Sequence, residues 1–588
     1  MIRIAGLLVV AALLLVQPVW AEDEVATKAL YDLFSKERDF HYQDNPGSGP
    51  RGSKRPGPTV HKDVSPAAQT VRKGQYETFL AELNGIDKAE LTRGDQINHD
   101  LFRYYLNRQL IFLTHRTWRL PLQSDSGFHT WVTRRWRGYA LRTEDDLNRY
   151  ITWLKGVPGY LAMHQANLQL GLDEGFTMPK VVLDGLLQSF RAVVKGGAEA
   201  TPFARELKRA EVLPGSVFKP LRAEAINVIA NQIVPAYEAL ADYMEGPYYQ
   251  GASDAIAVTS MPGGDAYYAD AVKFYTTLDI TPDEVHEIGL KEVARIRAEM
   301  EQVMADADFD GTFAEFIDFL RTDPQFYATS ADQLIKEASW LAKQIDAQMP
   351  KFFGTLPRQS YGVEPVPASI APNYTTGRYV GAPIGSDKGG TYWVNTFALD
   401  KRPLYNLPSL TLHEAVPGHH HQSALSKEIE NVPEFRLGLY PHAYGEGWGL
   451  YSEKLGIEMG MYKTPYQQFG RLSYEMWRAA RLVVDTGMHS KGWSRADAIK
   501  LMEENSALSK LNIRTEVDRY IGWPGQALAY KMGELTILRL RAKAEEALGD
   551  QFDIKTFHDT ILTDGGMPLT MLEAKVDGWI ATLLPAGD

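Results

Sequence analysis

A His-Glu pair followed by three consecutive histidines lies in the sequence LTLHEAVPGHHHQ, over residues 410–422. Imidazole and carboxylate groups are ligands that zinc takes in proteins. In the common zinc-hydrolase motif HExxH, the two histidines lie four residues apart on one face of a helix, and the glutamate acts as general base. Pro417 stands where that motif has its second histidine, so a metal site here needs a modified geometry.

The histidine spacing predicts an interrupted helix. His413 and His419 are six residues apart, so on an ideal helix their side chains point about 120° away from each other. His413 and His420 share a face but are separated by a rise of about 10 Å. Pro417 and Gly418 favour a break, because proline removes a backbone donor and glycine accepts unusual dihedral angles. We therefore expect a bulge that brings His419 to the second ligand position, with His420 as the alternative.

A third ligand is expected downstream, in the sequence YGEGWGLYSE over residues 444–453. Glu446 lies between two glycines, which permit close approach of a backbone or a substrate. His442 lies four residues earlier on the same helical face and competes as a ligand or as a partner of one. Glu453 lies two turns beyond Glu446 and cannot share the metal unaided. Glu446 is the predicted third ligand if a metal binds; without one, it is a surface carboxylate.

Composition restricts the chemistry further. The chain has 588 residues and no cysteine, so a metal must bind through His, Asp or Glu, and disulfides and thiolate sites are excluded. The net charge of −12 disfavours nucleic acid as a partner. In the metal site His421 is expected to face away from the ion; the alternative to such a site is a histidine-rich surface turn or an adventitious metal patch. Leu410 and Leu412 favour a core-facing helix instead, where a His-Glu pair is costly unless it is paired or used.

The first 21 residues are typical of a signal peptide. Arg3 precedes an apolar run of about 13 residues, and Ala21 provides a small residue for cleavage. The run is too short to span a bilayer, which disfavours the alternative of an uncleaved anchor. We expect an exported, periplasmic mature protein without a stable membrane anchor; the lack of cysteine excludes a lipid anchor on that residue.

Helical periodicity dominates the rest of the chain. It is found in four segments: Glu77–His115, Thr143–Leu170, Val181–Val194 and Ala223–Met244. Helices are predicted to start after Thr281 and at Ser330, whereas residues 42–66 are rich in Pro and Gly and predict a flexible loop. A small β element is expected near residues 375–396, with strands at 379–380 and 392–394 separated by the glycine-containing segment 385–390.

Five segments together resemble the bacterial family known as domain of unknown function 885, in matching order along nearly the whole mature chain. They are PGGDAYYADAVKFYTT (262–277), HEAVPGHHHQ (413–422), EGWGLYSE (446–453), RAARLVVDTGMHSKGW (478–493) and RYIGWPGQALAYKMG (519–533). The family is grouped by fold with the helical gluzincin peptidases, such as angiotensin-converting enzyme, thimet oligopeptidase and the carboxypeptidase Taq type. Dipeptidyl peptidase III is similar in having an enlarged His-Glu…His spacing that still binds zinc.

The resemblance implies His413, His419 and Glu446 as ligands of one zinc ion and Glu414 as the base. It also implies a donor to the oxyanion of the tetrahedral intermediate. His489 is a candidate, with Asp485 one turn earlier to orient it; the alternative is a helix C-terminal histidine. Tyr520 and Tyr530 are further candidates for this donor. Three arginines are candidates for binding a peptide carboxylate or for simple ion pairing, namely Arg478, Arg481 and Arg519. Of these, Arg481 is expected to pair with Asp485.

We therefore expect a mainly α, two-lobed helical metallopeptidase-like fold, with residues 22–588 forming one catalytic domain around a deep channel. The expected function is zinc-dependent hydrolysis of short peptides. The alternatives are an inactive metal- or peptide-binding protein derived from a peptidase and a metal-dependent amidase or esterase. Retention of Glu414 favours an enzyme, because a binding site needs ligands but no base. The oligomeric state is not indicated by the sequence.

Overall fold

The structure is a computed structural model that describes residues 20–50, 55–368, 371, 374–382 and 388–584. The predicted signal segment therefore lies largely outside the described residues. Helices dominate the chain, as the periodicity predicts, and the only sheet of the described part has three short strands. No helix among the described residues combines the length and apolarity that crossing a membrane requires.

The first half of the chain is helical and contains no strand within the described ranges. Its helices are α1 (Trp20–Asp44), α2 (Pro66–Asn84), α3 (Arg93–Thr114), α4 (Phe128–Trp131), α5 (Glu144–Asp173), α6 (Lys180–Leu186), α7 (Gln188–Ala192), α8 (Pro202–Glu206), α9 (Gly215–Val228), α10 (Val234–Tyr243), α11 (Tyr249–Gly251), α12 (Gly264–Thr276), α13 (Pro282–Asp306), α14 (Phe313–Thr322), α15 (Ala331–Asp346) and α16 (Met349–Phe352). The predicted loop at residues 42–66 corresponds to the chain between α1 and α2, although residues 42–44 of that loop belong to α1.

The predicted helix starts have the expected caps. Thr281 accepts a hydrogen bond from the Glu284 amide, and the Glu284 side chain accepts one from the Thr281 amide, which satisfies two exposed donors of α13. Ser330 caps α15 in the same position. The expected helix over residues 223–244 is instead split into α9 and α10 by a π-helical segment at Ile229–Ile233.

The second half holds the sheet and the remaining helices. The strands are β1 (Tyr361–Pro365), β2 (Gly377–Val380) and β3 (Gly390–Val394), in the order β1-β3-β2, with β3 parallel to β1 and antiparallel to β2. The two predicted strands are confirmed, β1 was not predicted as one, and residues 383–387 lie outside the described part. The helices are α17 (Leu407–Glu414), α18 (His419–Glu428), α19 (His442–Leu455), α20 (Pro465–Ser490), α21 (Arg495–Asn505), α22 (Lys510–Gly522), α23 (Ala529–Leu548), α24 (Ile554–Leu562) and α25 (Leu569–Leu583).

Helix α20 runs through the centre of this half. It is buried continuously from Phe469 to His489 and packs along α13. Beside it, α19 and α23 cross so closely that a side chain on Gly447 would lie 2.4 Å from the Gly533 Cα atom. These glycines explain the glycine-rich sequence of α19, since any larger residue would push the two helices apart. Glu446 is the neighbour of Gly447, so this contact fixes the stretch of α19 that carries it.

Candidate metal centre

The helix that carries His413 is interrupted where the sequence predicts. Helix α17 ends at Glu414, residues 415–418 form an irregular turn, and α18 begins at His419. Gly418 packs against the end of α17, where a Cβ atom would lie 1.9 Å from the His413 carbonyl oxygen. The Trp448 indole donates a 2.7 Å hydrogen bond to the Pro417 carbonyl and fixes the turn from the side of α19. The irregular turn at residues 415–418 thus takes the place of the two helical residues that separate the glutamate from the second histidine in HExxH.

This turn brings the three predicted ligands together. The Oε2 atom of Glu446 lies 3.6 Å from Nε2 of His413 and 3.4 Å from Nε2 of His419. All three ligand atoms lie within 4.8 Å of one another. A tetrahedral zinc ion with ligands at about 2.05 Å separates them by about 3.3 Å, so the carboxylate–imidazole distances fit one ion. Two histidines and one carboxylate form the ligand set of catalytic zinc sites that keep an open position.

The other two histidines of the run point elsewhere. Nδ1 of His420 lies 3.1 Å from the Tyr379 hydroxyl, and its ring packs on Tyr361. His421 is fully buried, and its Nε2 atom donates to the Thr355 carbonyl at 3.2 Å. Burial lowers the pKa of His420 to about 4 and that of His421 to about 3. His419 is therefore the histidine of α18 that the fold places beside His413.

Glycine on α19 makes room for the first ligand. A Cβ atom on Gly449 would lie 2.7 Å from Cε1 and 2.8 Å from Nε2 of His413. The imidazole therefore packs directly on the α19 backbone, one turn from Glu446. Gly449 therefore helps to orient His413, a role that the sequence did not indicate.

Glu453 supports His413 from behind. Its Oε1 atom accepts a 2.8 Å hydrogen bond from Nδ1 of His413, which directs Nε2 toward Glu446. Burial by itself lowers the pKa of His413, but Glu446 and Glu453 outweigh it and raise the pKa to about 9. Glu453 is itself buried, and the Arg478 guanidinium lies 3.5 Å from Oε1. A carboxylate behind a ligating histidine is the usual arrangement for fixing its tautomer and ring orientation.

Glu414, the predicted base, is held by the sheet. Its Oε2 atom accepts a 2.8 Å hydrogen bond from the Tyr379 amide of β2. Glu414 is among the carboxylates that raise the pKa of both His413 and Tyr440. The small β element thus has a function in this site: it orients the glutamate that follows His413.

Comparison with known proteins confirms the resemblance to the family known as domain of unknown function 885. Residues 53–576, which contain every residue of the cluster, match the family model described as bacterial proteins of unknown function, DUF885. The chain belongs to this family. No curated protein sequence matches it.

Two solved structures are similar to this DUF885 chain over 95% of its length. The first is a predicted lipoprotein from Colwellia psychrerythraea, with 28% identity, a TM-score of 0.86 and all of its own chain covered. The second is a predicted lipoprotein of unknown function from Shewanella oneidensis, with 16% identity, a TM-score of 0.69 and 99% of its chain covered. The second likeness concerns the fold alone.

His489 does not reach the cluster in this DUF885 protein. It is completely buried, its Nδ1 atom accepts from the Val258 amide at 3.1 Å, and its Nε2 atom donates to the Tyr520 carbonyl at 3.0 Å. With both ring nitrogens used, it has no donor for an oxyanion. Asp485 does not orient it either: that carboxylate accepts from the Tyr268 hydroxyl at 2.6 Å and from the Gly525 amide. The predicted oxyanion role of His489 is therefore wrong.

The Tyr520 hydroxyl is also fully engaged. It donates to Glu516 at 2.8 Å and accepts from the Trp477 indole and from Nε of Arg481. Arg481 pairs with Glu516 at 3.1 Å, so the predicted pair with Asp485 is also wrong. These groups lie inside the core because α20 and α22 pack together, a contact that the sequence does not show.

One tyrosine that was not predicted from the sequence lies beside the ligands. The Tyr440 hydroxyl lies 3.5 Å from Oε1 of Glu446, and the residue is 41% exposed. Tyr530 is partly accessible, and the Arg481 guanidinium lies 4.4 Å from the centre of its ring. In the sequence, only the position of Tyr440 six residues before Glu446 indicated that it could lie near the metal ligands.

Proposed function

We propose that this protein is a metal-dependent peptidase whose ion is bound by His413, His419 and Glu446. The observation that carries the proposal is the arrangement of the three ligand atoms, with Glu453 fixing the tautomer of His413. A structural zinc site is usually closed by four protein ligands, whereas the described residues bring three together here, of which His419 and Glu446 stay partly accessible. An open coordination position is what a hydrolase needs for water or substrate.

A zinc ion bound here would polarise a scissile carbonyl and lower the pKa of the attacking water. Glu414 would accept a proton from the attacking water and pass it to the leaving amine. The Tyr379 amide holds one oxygen of Glu414, which keeps the carboxylate aligned through both transfers. Tyr440, whose hydroxyl lies 3.5 Å from Oε1 of Glu446, and Tyr530 would supply the phenolic donors that His489 and Tyr520 do not.

We also propose that the protein is exported. Support comes from the signal-like first 21 residues and from the similar Colwellia psychrerythraea structure, which is described as a predicted lipoprotein. This chain contains no cysteine, so export as a soluble protein fits its sequence better than lipid attachment.

The proposal is tested by metal analysis and turnover on the same preparation. We expect about one zinc ion per chain and cleavage of peptides from a fluorescence-quenched library. Glu414→Gln should retain zinc and lose activity by a factor of about 100 or more, because general base catalysis contributes about 10²–10⁴-fold. The matched control is Glu430→Gln on an exposed loop, which should behave as the parent. Stoichiometric zinc without cleavage by the parent protein would support a binding protein instead.

A further inference from the structure

A cluster of aromatic rings lies beside the proposed metal centre. It consists of Tyr275 on α12, Tyr440 and His442 at the start of α19, and Trp523 at the end of α22. The His442 ring is central, and its centroid lies 5.7 Å from that of Tyr440. The centroids of Tyr275 and Trp523 lie 5.3 and 6.1 Å from it. These contacts are edge-to-face, with interplanar angles of 74° to 87°, which is a favourable geometry for aromatic rings.

Tyr440 places this cluster next to the metal ligands. Its hydroxyl lies 3.5 Å from Oε1 of Glu446, the carboxylate whose Oε2 atom faces His413 and His419. The Tyr440 ring lies directly on the backbone of α19, because a Cβ atom on Gly445 would lie 2.2 Å from Cζ of that ring. A side chain at position 445 would therefore displace the ring, and the glycine allows this close approach.

Part of the aromatic surface is open to solvent. Tyr440 is 41% exposed, and His442 and Trp523 are partly exposed. The Trp523 indole donates a 2.6 Å hydrogen bond to the Tyr275 hydroxyl, so its polar atom is used and its remaining surface is apolar. Burial lowers the pKa of His442 to about 4, so this ring is neutral at pH 7. Ligand sites in proteins are lined mainly by such aromatic and apolar groups.

The charges beside the rings disfavour a charged occupant. The Arg519 guanidinium lies 5.8 Å from the centre of the Trp523 ring, so a cation of the protein already uses this ring. Arg519 pairs with Glu516 at 3.1 Å, and a second carboxylate, Glu446, lies on the Tyr440 side. A basic side chain of a substrate would be repelled by Arg519, and an acidic one by Glu446. An uncharged ring avoids both repulsions.

We propose that Tyr440, His442 and Trp523 form a specificity subsite for an aromatic side chain of the substrate. The inference rests on the proposed peptidase function and names its substrate class. A phenyl ring that enters the cluster can make the same edge-to-face contacts that the protein rings make with one another. Because Tyr440 also contacts Glu446, the side chain belongs to a residue close to the scissile bond.

Binding tests this subsite without turnover. Zinc-loaded Glu414→Gln protein is titrated by calorimetry with short capped alanine peptides in which a single phenylalanine is moved through successive positions. We expect phenylalanine at one position to increase affinity about tenfold or more over the all-alanine peptide, because ring burial and aromatic contacts add to each other. Lysine or glutamate at that position should give no such gain.

Two variants in the same Glu414→Gln background locate the gain. Trp523→Leu and Tyr440→Ala should each reduce it to about threefold or less. Tyr440 is exposed enough that its removal tests the subsite even if Trp523→Leu does not fold. The matched control is Trp340→Leu, which removes a 63% exposed indole on α15 and should keep the full gain.

The subsite is overturned if no peptide binds, if all peptides bind equally, or if lysine or glutamate is preferred to phenylalanine. Persistence of the full phenylalanine gain in Tyr440→Ala protein would overturn it as well. A phenylalanine gain without cleavage of any peptide by the parent protein would overturn the peptidase proposal alone, since the binding comparison does not need turnover.

Discussion

Replacement of Glu453 by glutamine should weaken metal binding without removing a ligand. Glu453 accepts the Nδ1 proton of His413 at 2.8 Å and is 1% exposed, so solvent cannot take its place. Glutamine has nearly the same shape and keeps an acceptor, but it loses the negative charge. Changes of this kind behind a metal ligand cost about 10–100-fold in affinity, which corresponds to about 1.4–2.7 kcal/mol.

The change has a second effect through Arg478. Its guanidinium lies 3.5 Å from Glu453 and is buried, so a neutral partner leaves a buried positive charge less well compensated. The metal-free variant should therefore unfold at a lower temperature than the parent. The loss of metal affinity is distinguished from this loss of stability by measuring both.

The assay is a competition titration of zinc against a chromophoric chelator at pH 7.5, under conditions in which circular dichroism shows the folded state. Glu430→Gln, which alters an exposed carboxylate, is the control for added neutral amide. Parent-like zinc affinity in folded Glu453→Gln protein would refute the role assigned to Glu453. It would also weaken the argument that His413 binds through Nε2.

Three further predictions follow from the packing. Gly449→Ala should lower zinc affinity in the same titration, because its Cβ atom would meet the His413 ring at 2.7 Å; parent-like affinity would show that the ring can move aside. Asp485 has a pKa raised to about 7, mainly by burial, against about 3.9 in the unfolded chain. The folded state holds this proton more tightly, so this residue's contribution to the unfolding free energy falls by about 3 kcal/mol as the pH rises from 4 to 7. Asp485→Asn should flatten that fall in urea titrations at several pH values, and an unchanged slope would contradict the assignment. Lys531→Met should lower the unfolding free energy by about 3–5 kcal/mol, because Lys531 is fully buried between Glu475 and Glu534 at 2.8 and 2.6 Å; an unchanged urea midpoint would show that the carboxylates are neutral there.

Local sequence was sufficient where the physics is local. Capping residues such as Thr281 and Ser330 act on amides within the next turn, so helix starts could be predicted closely. Strands β2 and β3 were predicted from their local composition. Strand β1 was not predicted, because it pairs with β3 across 29 residues of chain. Side-chain roles that depend on which helices meet could not be predicted in this way. His489 and Tyr520 have the right chemistry for an oxyanion donor, but the packing of α20 on α22 uses all their polar atoms.

The ligand types and the need for a helix break were determined by the sequence alone, because cysteine is absent and Pro417 occupies the second histidine position of HExxH. Which histidine joins His413 was decided by the tertiary structure. The turn at Pro417–Gly418 is held by Trp448 from another helix, and it places His419 rather than His420 beside Glu446. The roles of Glu453 and Tyr440 were likewise decided by the crossing of α17 and α19. A spacing along one chain specifies faces of one helix, whereas a metal site requires atoms of three helices to meet at one point.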